Sequence, residues 1–370
     1  MFFGVAPTLL FLCLFHALAA SLSPPRPVSP VSGVPQIQVT EARHTRKIYY
    51  VGGTYNQTAN GTILQDQVYV EQLTPAGGVT QPKPLVLLHG GNIAGDLWLN
   101  KPDGGRGWAS FFLDRGYQVY IPDAAFTAPE RYSKYYQARF HTQWPGNGSI
   151  NDRVFDTFYS RFRPTSVGAE VEGIMRSALC DLIRTFVSGQ AVFIAHAIGS
   201  AYAIQASDAC PELVAAHISL EGDQSPFQSY IRASEGLYDP IPYRPYGVSN
   251  IPLTFETPVT DPAQLRKVAV GETTYTEGLL SNVTCVLQQD PANRLVNVAK
   301  VPMLFFVGEA SVHALYDHCQ VAFLRQAGVN VTFTRLVDAG VRGNGHFSFL
   351  EKNSDQIALL LARWIEDRFG

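Results

Sequence analysis

Buried strand segments alternate with helical segments along most of this chain, and this alternation constrains the fold more than any other feature. Continuous apolar runs such as PLVLLHGG (84–91) and VPMLFFVGE (301–309) are typical of strands that are covered on both faces. Between such runs, apolar residues recur at helical spacing, as in GAEVEGIMRSALCDLIRTF (168–186). Strands that are separated by helices form a mainly parallel sheet. The sequence therefore predicts an α/β fold with a mainly parallel central sheet and helices on both faces.

The same alternation predicts the other strands and helices. We expect further strands at 37–57, 62–75, 118–126, 191–195, 213–222 and 331–340, and further helices at 108–117, 198–210, 318–328 and 354–369. Two stretches break the pattern: 127–167, which is rich in aromatic and polar residues, and 223–300, which combines Pro, Tyr and polar residues. No internal repeat is visible. We therefore predict one domain, spanning residues 36–370.

The N-terminal residues predict a secreted protein. Residues 1–20 are interpreted as a signal peptide, because the apolar run 9–14 precedes ALA at 17–19, a small-residue cleavage site. A membrane anchor is the alternative interpretation. The apolar stretch is short for a membrane span, and residues 21–35 have the composition of a flexible Pro/Ser linker. We therefore expect no stable membrane anchor.

Glycosylation sequons agree with export. An N-x-[ST] sequon marks a surface loop that can carry a glycan in a secreted protein. Five sequons occur, at Asn56, Asn60, Asn147, Asn282 and Asn330.

The cysteines agree with export as well. Four of them lie beyond the predicted signal peptide, and an even number in an oxidising compartment suggests disulfides, with three connectivities to choose from. The pairs that lie closest in sequence, Cys180–Cys210 and Cys285–Cys319, are favoured. Four buried free thiols are the alternative.

Charge and motifs argue against several classes of ligand. The formal net charge is −3 without a basic stripe, so no nucleic-acid partner is expected. No G-x-G-x-x-G or P-loop occurs at a strand–helix junction, so neither a nucleotide nor any other cofactor is predicted. His313 and His318 of HALYDH (313–318) diverge on a predicted helix. No metal site is therefore predicted.

Three loop motifs follow predicted strands: HGGN (89–92), AHAIG (195–199) and GNGHFSFLEK (343–352). In this chain order they resemble the oxyanion loop, the nucleophile elbow and the catalytic-histidine loop of the α/β-hydrolase superfamily. The resemblance covers about residues 80–370. It implies the α/β-hydrolase fold, in which the insertion at about 223–300 is a cap over the active site.

Two further segments resemble a narrower group of secreted esterases. These are WLNKPDGGRGW (98–108) and LEGDQSPF (220–227). In this group the acid of the catalytic triad is a glutamate just after the strand that follows the elbow helix.

The resemblance implies a role for His346 and for Glu221. His346 would accept the proton of the nucleophile and return it to the leaving group, and Glu221 would orient His346 and stabilise its imidazolium. Many superfamily members instead use an acid after a later strand, which here would be Glu309 or Asp317. Each residue also has a non-functional interpretation: His346 would be a histidine in a surface loop, and Glu221 would be a solvated glutamate at the end of a strand.

The resemblance also implies an oxyanion hole. Its backbone N–H groups would come from Ile198, after the nucleophile position, and from Gly91 or Asn92 in the first loop. Glycines let the backbone approach a ligand closely. The alternative is that HGG is only a tight turn.

Ala197 stands where the superfamily places its nucleophilic serine. A methyl group cannot form an acyl-enzyme, so the covalent route is closed at this position. Ser200, the nearest hydroxyl, is three residues into the helix and should point away from the histidine loop. His196 is expected to pack and hydrogen-bond. An engineered Ser-to-Ala change is another explanation, although the intact signal peptide argues against a laboratory variant.

The other site residues are all retained, and this predicts an enzyme. His346 would activate water for attack on a small apolar ester or lactone, or would remove a proton α to a carbonyl for cyclisation, condensation or elimination. The alternative is a catalytically inactive protein that binds a carbonyl ligand. The sequence leaves the substrate and the oligomeric state open.

Overall fold

The computed structural model describes residues 40–58, 61–91, 93–123, 140–148, 152–159, 168–232, 236–271 and 283–370. The predicted signal peptide (1–20) and the predicted linker (21–35) lie outside these described residues. Asn60, Asn92 and Asn282 also lie outside them.

An eight-stranded sheet forms the centre of the described structure. Its strands are β1 (His44–Thr58), β2 (Gly61–Pro75), β3 (Leu85–Leu88), β4 (Val119–Asp123), β5 (Ala191–His196), β6 (Val214–Leu220), β11 (Met303–Val307) and β12 (Val331–Arg335). Their order across the sheet is β1-β2-β4-β3-β5-β6-β11-β12. All neighbours from β4 to β12 pair in parallel, whereas β1 and β2 form an antiparallel hairpin that also runs antiparallel to β4. The predicted mainly parallel sheet is confirmed.

Six α-helices accompany the sheet in the part of the chain that the structure describes. They are α1 (Trp108–Leu113), α2 (Arg153–Tyr159), α3 (Ala169–Phe186), α4 (Ile198–Ala209), α5 (Asp317–Gln326) and α6 (Ser354–Phe369). Leu85 and Leu87 of β3 pack in the cluster that α1 and α6 cover, whereas Val86 and Leu88 pack under α3 and α4. This alternation follows from the two-residue period of a strand. The prediction of helices on both faces is confirmed.

One helix is shorter than predicted. The helix expected over 108–117 ends at Leu113, because Gly116 has a φ of 83° and reverses the chain. The amide of Gly116 donates to the carbonyl of Leu113 at 3.0 Å, and the amide of Tyr117 donates to that of Phe112 at 3.1 Å. The chain then enters β4.

The insertion at 223–300 contains two small hairpins. One joins β7 (Gln228–Arg232) to β8 (Gly236–Pro242), and the other joins β9 (Lys267–Val270) to β10 (Cys285–Gln288). A buried arginine ties the insertion to helix α3: Arg244 Nε donates to Asp223 Oδ2 at 2.7 Å, and its Nη1 contacts Glu172 of α3. Asp223 lies in the segment that leaves the end of β6, so this ion network is close to that edge of the sheet.

Two disulfides join the cysteine pairs that lie closest in sequence. Cys180–Cys210 links α3 to the end of α4, with Cα atoms 6.1 Å apart. Cys285–Cys319 links the insertion to α5, with Cα atoms 5.2 Å apart. In the chain-entropy model, loops of this size correspond to about 4 kcal/mol of stability per disulfide.

Within the described ranges, none of the helices combines the length and the apolar character that a membrane span requires.

The buried ring of His217 in β6 should make the folded protein less stable at acid pH. Its ring is buried and, among the described residues, neither ring nitrogen has a hydrogen-bond partner. Burial lowers the pKa of His217 from 6.5 to about 3. Between these values the unfolded chain binds a proton that the folded chain does not, so stability falls as the pH falls, by about 1.4 kcal/mol per pH unit.

We expect His217→Leu to flatten the acid limb of stability against pH and to leave stability near neutral pH unchanged or higher. Urea unfolding at several pH values from about 4.5 to about 7 would measure this, because the histidine pKa of the unfolded chain lies inside that range and the pKa of folded His217 lies below it. His44→Leu, at a half-buried position on the edge strand β1, is the control. Equal acid slopes in the wild type and His217→Leu would contradict the prediction.

Candidate active site

The loops that carry the sequence motifs meet at one edge of the sheet. The strands β3, β5, β6, β11 and β12 are successive parallel neighbours, so their carboxyl ends lie side by side. Clefts at this edge are the usual ligand sites of parallel α/β sheets. The HGG loop, the AHAIG turn, Glu221 and the histidine loop therefore come together.

The AHAIG turn has the strained geometry of an elbow. Ala197 has φ 48° and ψ −122° between β5 and α4, a backbone region that residues with a Cβ rarely adopt. Its amide lies 3.1 Å from the carbonyl oxygen of Leu220 and 3.0 Å from that of Glu221. The predicted strand–turn–helix is present, with the Ala197 methyl at its turn.

Two glycines allow the HGG loop to lie against the elbow. A Cβ added at Gly90 would lie 3.2 Å from the Cβ of Ala197, and one at Gly199 would lie 2.6 Å from the backbone oxygen of His89. A Cβ at Gly91 would reach Ile198 Cγ2 at 3.7 Å. The structure therefore brings Gly91 and Ile198, two of the predicted oxyanion residues, next to each other. Asn92, the third, lies outside the described residues.

His89 braces the HGG loop. Its Nδ1 lies 2.7 Å from the carbonyl oxygen of Gly90, and its Nε2 lies 3.2 Å from Asp123 Oδ1 at the end of β4. Asp123 Oδ1 also accepts from the amide of Gly95 at 3.0 Å. The first residue of the motif thus orients the two glycines that follow.

His346 and Glu221 lie together beside the elbow. His346 Nδ1 is 3.7 Å from Glu221 Oε2, which is longer than a direct hydrogen bond. Glu221 directly follows β6, with a φ of 56°, and is 1 % exposed. Its Oε1 accepts from the amide of Gly308 at 2.6 Å, and its Oε2 accepts from the hydroxyl of Ser311. These bonds aim the carboxylate at the histidine loop.

Burial favours the uncharged forms of both partners. It lowers the pKa of His346 well below the usual value, and His196 and His313 lower it further. Burial, together with the charge of Asp317, raises the pKa of Glu221 well above the usual value. A neutral imidazole is the protonation state that a general base needs.

Two other histidines flank the ring of His346. The His196 ring lies 4.4 Å away and its Nε2 donates to the carbonyl oxygen of His346 at 3.0 Å. Burial lowers the pKa of His196 to about 3, so this ring is neutral at physiological pH. These contacts agree with the packing and hydrogen-bonding role that was predicted for His196. The His313 ring lies parallel to His346, with ring centroids 4.6 Å apart and an interplanar angle of 7°.

The alternative acids have other partners. Glu309 binds Arg342 at 2.9 Å and the amide of Gly343 at 3.1 Å. Asp317 binds His313 Nδ1 and the amide of Gly222, each at 2.9 Å. Glu221 is thus the acid that the structure places next to His346.

Ser200 is directed away from the candidate site. Its hydroxyl lies 2.6 Å from that of Ser219 in β6, and it is fully buried. This arrangement gives no support to Ser200 as a substitute nucleophile.

The described residues contain one histidine–carboxylate cluster at the site with donor atoms close enough for a metal ion. The donor atoms of Glu221, His313 and His346 all lie within 4.8 Å of one another. The two imidazole planes are parallel, however, and the lone pairs of stacked rings do not converge on one ion. His318 groups instead with Cys285 and Cys319, whose sulfurs are bonded to each other. Neither arrangement favours a metal site.

Sequence reasoning missed the residues that hold the histidine loop. Glu351 is fully buried and accepts from the amide of Gly345 at 2.9 Å and from Asn344 Nδ2 at 2.7 Å. His141 Nε2 lies 2.8 Å from the same carboxylate. Glu351 and Asn344 are both in the GNGHFSFLEK motif, but nothing in their spacing shows that the loop folds back on itself.

Comparison with known proteins identifies the class. No family model matches the chain. A solved bacterial esterase aligns with 92 % of this chain and 100 % of its own, with a TM-score of 0.56 and 17 % identity. At that identity the likeness shows the fold alone. Together with the sheet order described above, it defines an α/β-hydrolase fold.

A curated relative identifies the family. The probable secreted lipase phiG of a fungal species (strain ATCC 74256) is 33 % identical over 351 residues, which cover 86 % of this chain and 88 % of the relative. The chain belongs to the same α/β-hydrolase family as this fungal protein.

Gly199 offers a direct test of the contact between the elbow helix and the HGG loop. A methyl group here would meet backbone oxygens of His89 and Leu88 at 2.6 and 3.0 Å. We expect Gly199→Ala to lower the free energy of unfolding by about 1 to 3 kcal/mol. Gly173→Ala in α3, where nothing lies within 4 Å, is the matched control and should stabilise by up to about 1 kcal/mol. Chemical denaturation would measure both, and equal effects would contradict the close contact.

Proposed function

We propose that the chain is a secreted, esterase-like enzyme that acts on a small apolar ester, lactone or related carbonyl compound without a serine nucleophile. The main support is that the strained elbow keeps its shape around Ala197, with a buried His346–Glu221 pair beside it. A positive φ at a residue with a Cβ is costly, and such strain is concentrated at functional sites. The relative's description as a secreted lipase supports the same substrate class.

The hydrolytic route uses water in place of the serine hydroxyl. His346 would remove a proton from a water molecule while the water oxygen attacks the carbonyl carbon of the substrate. The amides of Gly91 and Ile198 would stabilise the negative oxygen that forms. His346 would then return the proton to the departing alcohol, leaving an acid and an alcohol, or a hydroxy acid from a lactone.

A non-hydrolytic route uses the same groups. His346 would remove a proton α to the carbonyl, and the oxyanion amides would hold the enolate for cyclisation, condensation or elimination. Because Ala197 has no hydroxyl, the substrate would not be diverted into an acyl-enzyme. In both routes Glu221 would stabilise the imidazolium of His346.

Several features support an extracellular location. The two disulfides suit an oxidising compartment, and the sequon residues Asn147 and Asn330 are exposed. Asn56 lies in β1.

The insertion at 223–300 would act as the cap and shape the substrate pocket.

The second candidate is a binding protein that has lost catalysis. The 3.7 Å distance between His346 Nδ1 and Glu221 Oε2 supports it, because no direct hydrogen bond joins these two atoms. Such a protein would bind a carbonyl compound through the same oxyanion amides.

Ester and lactone hydrolysis would separate these candidates. We expect slow turnover by the wild type over a panel of acyl chain lengths. His346→Ala should lower it by about 10²- to 10⁴-fold. Ser200→Ala should leave it unchanged, because that hydroxyl binds Ser219. Saturable binding without turnover, unaffected by His346→Ala, would contradict the enzyme and support the binding protein.

Ala197→Ser tests the position of the elbow independently of the natural substrate. A serine here should react with a fluorophosphonate probe, and the reaction should disappear in Ala197→Ser/His346→Ala. Mass spectrometry of the labelled peptide would identify the site. If only the serine variant hydrolyses esters, the natural role is binding or a non-hydrolytic reaction. If Ala197→Ser is not labelled, the assignment of Ala197 to the nucleophile position is wrong.

A further inference from the structure

A second histidine–carboxylate pair lies directly against the first. His313 is in the 3₁₀ turn Val312–Leu315, which follows β11, and Asp317 begins α5. His313 Nδ1 is 2.9 Å from Asp317 Oδ1, and both side chains are about 2 % exposed. The His313 ring stacks on His346 at 4.6 Å with an interplanar angle of 7°.

The second pair is hydrogen-bonded to the backbone and side chain around Glu221. Asp317 Oδ2 accepts from the amide of Gly222, the residue that follows Glu221, at 2.9 Å. The Ser311 hydroxyl donates to the Glu221 carboxylate, and its oxygen accepts from the amide of His313 at 3.1 Å. The turn that carries His313 is therefore tied to the acid of the first pair at two points.

The turn that carries His313 also packs through the apolar side chains of Val312, Leu315 and Tyr316. Its position is therefore set independently of the His313 ring. The feature that points to the site is the flat face of that ring, which lies parallel to His346.

We propose that His313 is a positioning residue whose flat ring fixes the ring plane of His346 so that Nδ1 faces Glu221. The proposal rests on the proposed function, because it concerns the base of the same site. Catalytic groups must be held closely, since a misplacement of about 1 Å can cost about 100-fold in rate. The parallel stack with His313 and the contact with His196 would together prevent the ring from tilting.

Other titratable groups surround the two pairs and must be held constant. His196 and Glu221 lie next to His346, and Tyr316 and Asp317 lie next to His313. Glu351 and Asp223 influence the carboxylates of the two pairs electrostatically. The variants below therefore leave all of them except Asp317 in place.

Two variants separate the ring from its hydrogen bond. His313→Gln keeps a donor for Asp317 and removes the flat ring. His313→Phe combined with Asp317→Asn keeps a flat ring and removes the polar pair without leaving a buried charge unpaired. Thermal unfolding of both variants would establish that they are folded.

The first measurement is NMR of histidine ring Cε1–H groups in the wild-type background, with His346 assigned by its absence in His346→Gln. We expect His313→Gln to broaden or split the His346 signal and to shift its titration toward that of an ordinary histidine. The Phe/Asn variant should keep the wild-type signal width. This measurement does not depend on turnover, so it tests the proposal even if the proposed function fails.

The second measurement is ester hydrolysis in the Ala197→Ser background. We expect His313→Gln to lower kcat by about 10- to 100-fold with little change in KM, and we expect the Phe/Asn variant to retain most of kcat. An unchanged His346 signal with unchanged kcat and pH profile in His313→Gln would overturn the proposal. A loss in the Phe/Asn variant equal to that in His313→Gln would also overturn it, because the polar pair and not the stacked ring would then be responsible. If His313→Gln does not fold, a loss of kcat or a broadened His346 signal in the folded Phe/Asn variant would still overturn the proposal.

Discussion

The burial of the Glu221 carboxylate is the constraint on which the rest of the site depends. A carboxylate that is removed from water must find hydrogen-bond donors in the protein. Here the donors are the amide of Gly308 and the hydroxyl of Ser311, both from the loop after β11. The backbone oxygen of Glu221 also accepts from the amide of Ala197. One residue therefore links the elbow, the loop after β11 and the histidine loop.

The elbow keeps its strained backbone geometry although Ala197 replaces the nucleophilic serine that such turns usually carry. Ala197 and Glu221 both have positive φ, and each directly follows one of two neighbouring parallel strands. The surrounding packing maintains this geometry, because Gly199 lets α4 touch the backbone oxygen of His89. A serine hydroxyl contributes nothing to that contact. The scaffold and the nucleophile are therefore separable, and this is the physical basis of the proposed water-dependent or non-hydrolytic chemistry.

The surroundings of His346 favour a neutral base. Burial makes protonation of His346 unfavourable, and the neighbouring rings of His196 and His313 add to this effect. A substrate that develops negative charge beside the elbow would supply the missing counter-charge. In that view the site is preorganised for a transition state more than for a bound ion.

The sequence by itself determined the mainly parallel sheet, the helices on both faces and the loops at which site residues occur, because buried strands and amphipathic helices have distinct periods. The proximity of His346 and Glu221 was expected from a family resemblance. Only the tertiary structure placed His313, Asp317, Ser311 and Glu351 around them. These contacts join residues that are far apart in the chain. A polar residue in the sequence does not show which distant residue its side chain will bind. The helix predicted over 108–117 was too long for a related reason. The positive φ of Gly116, which reverses the chain after Leu113, depends on the turn into β4.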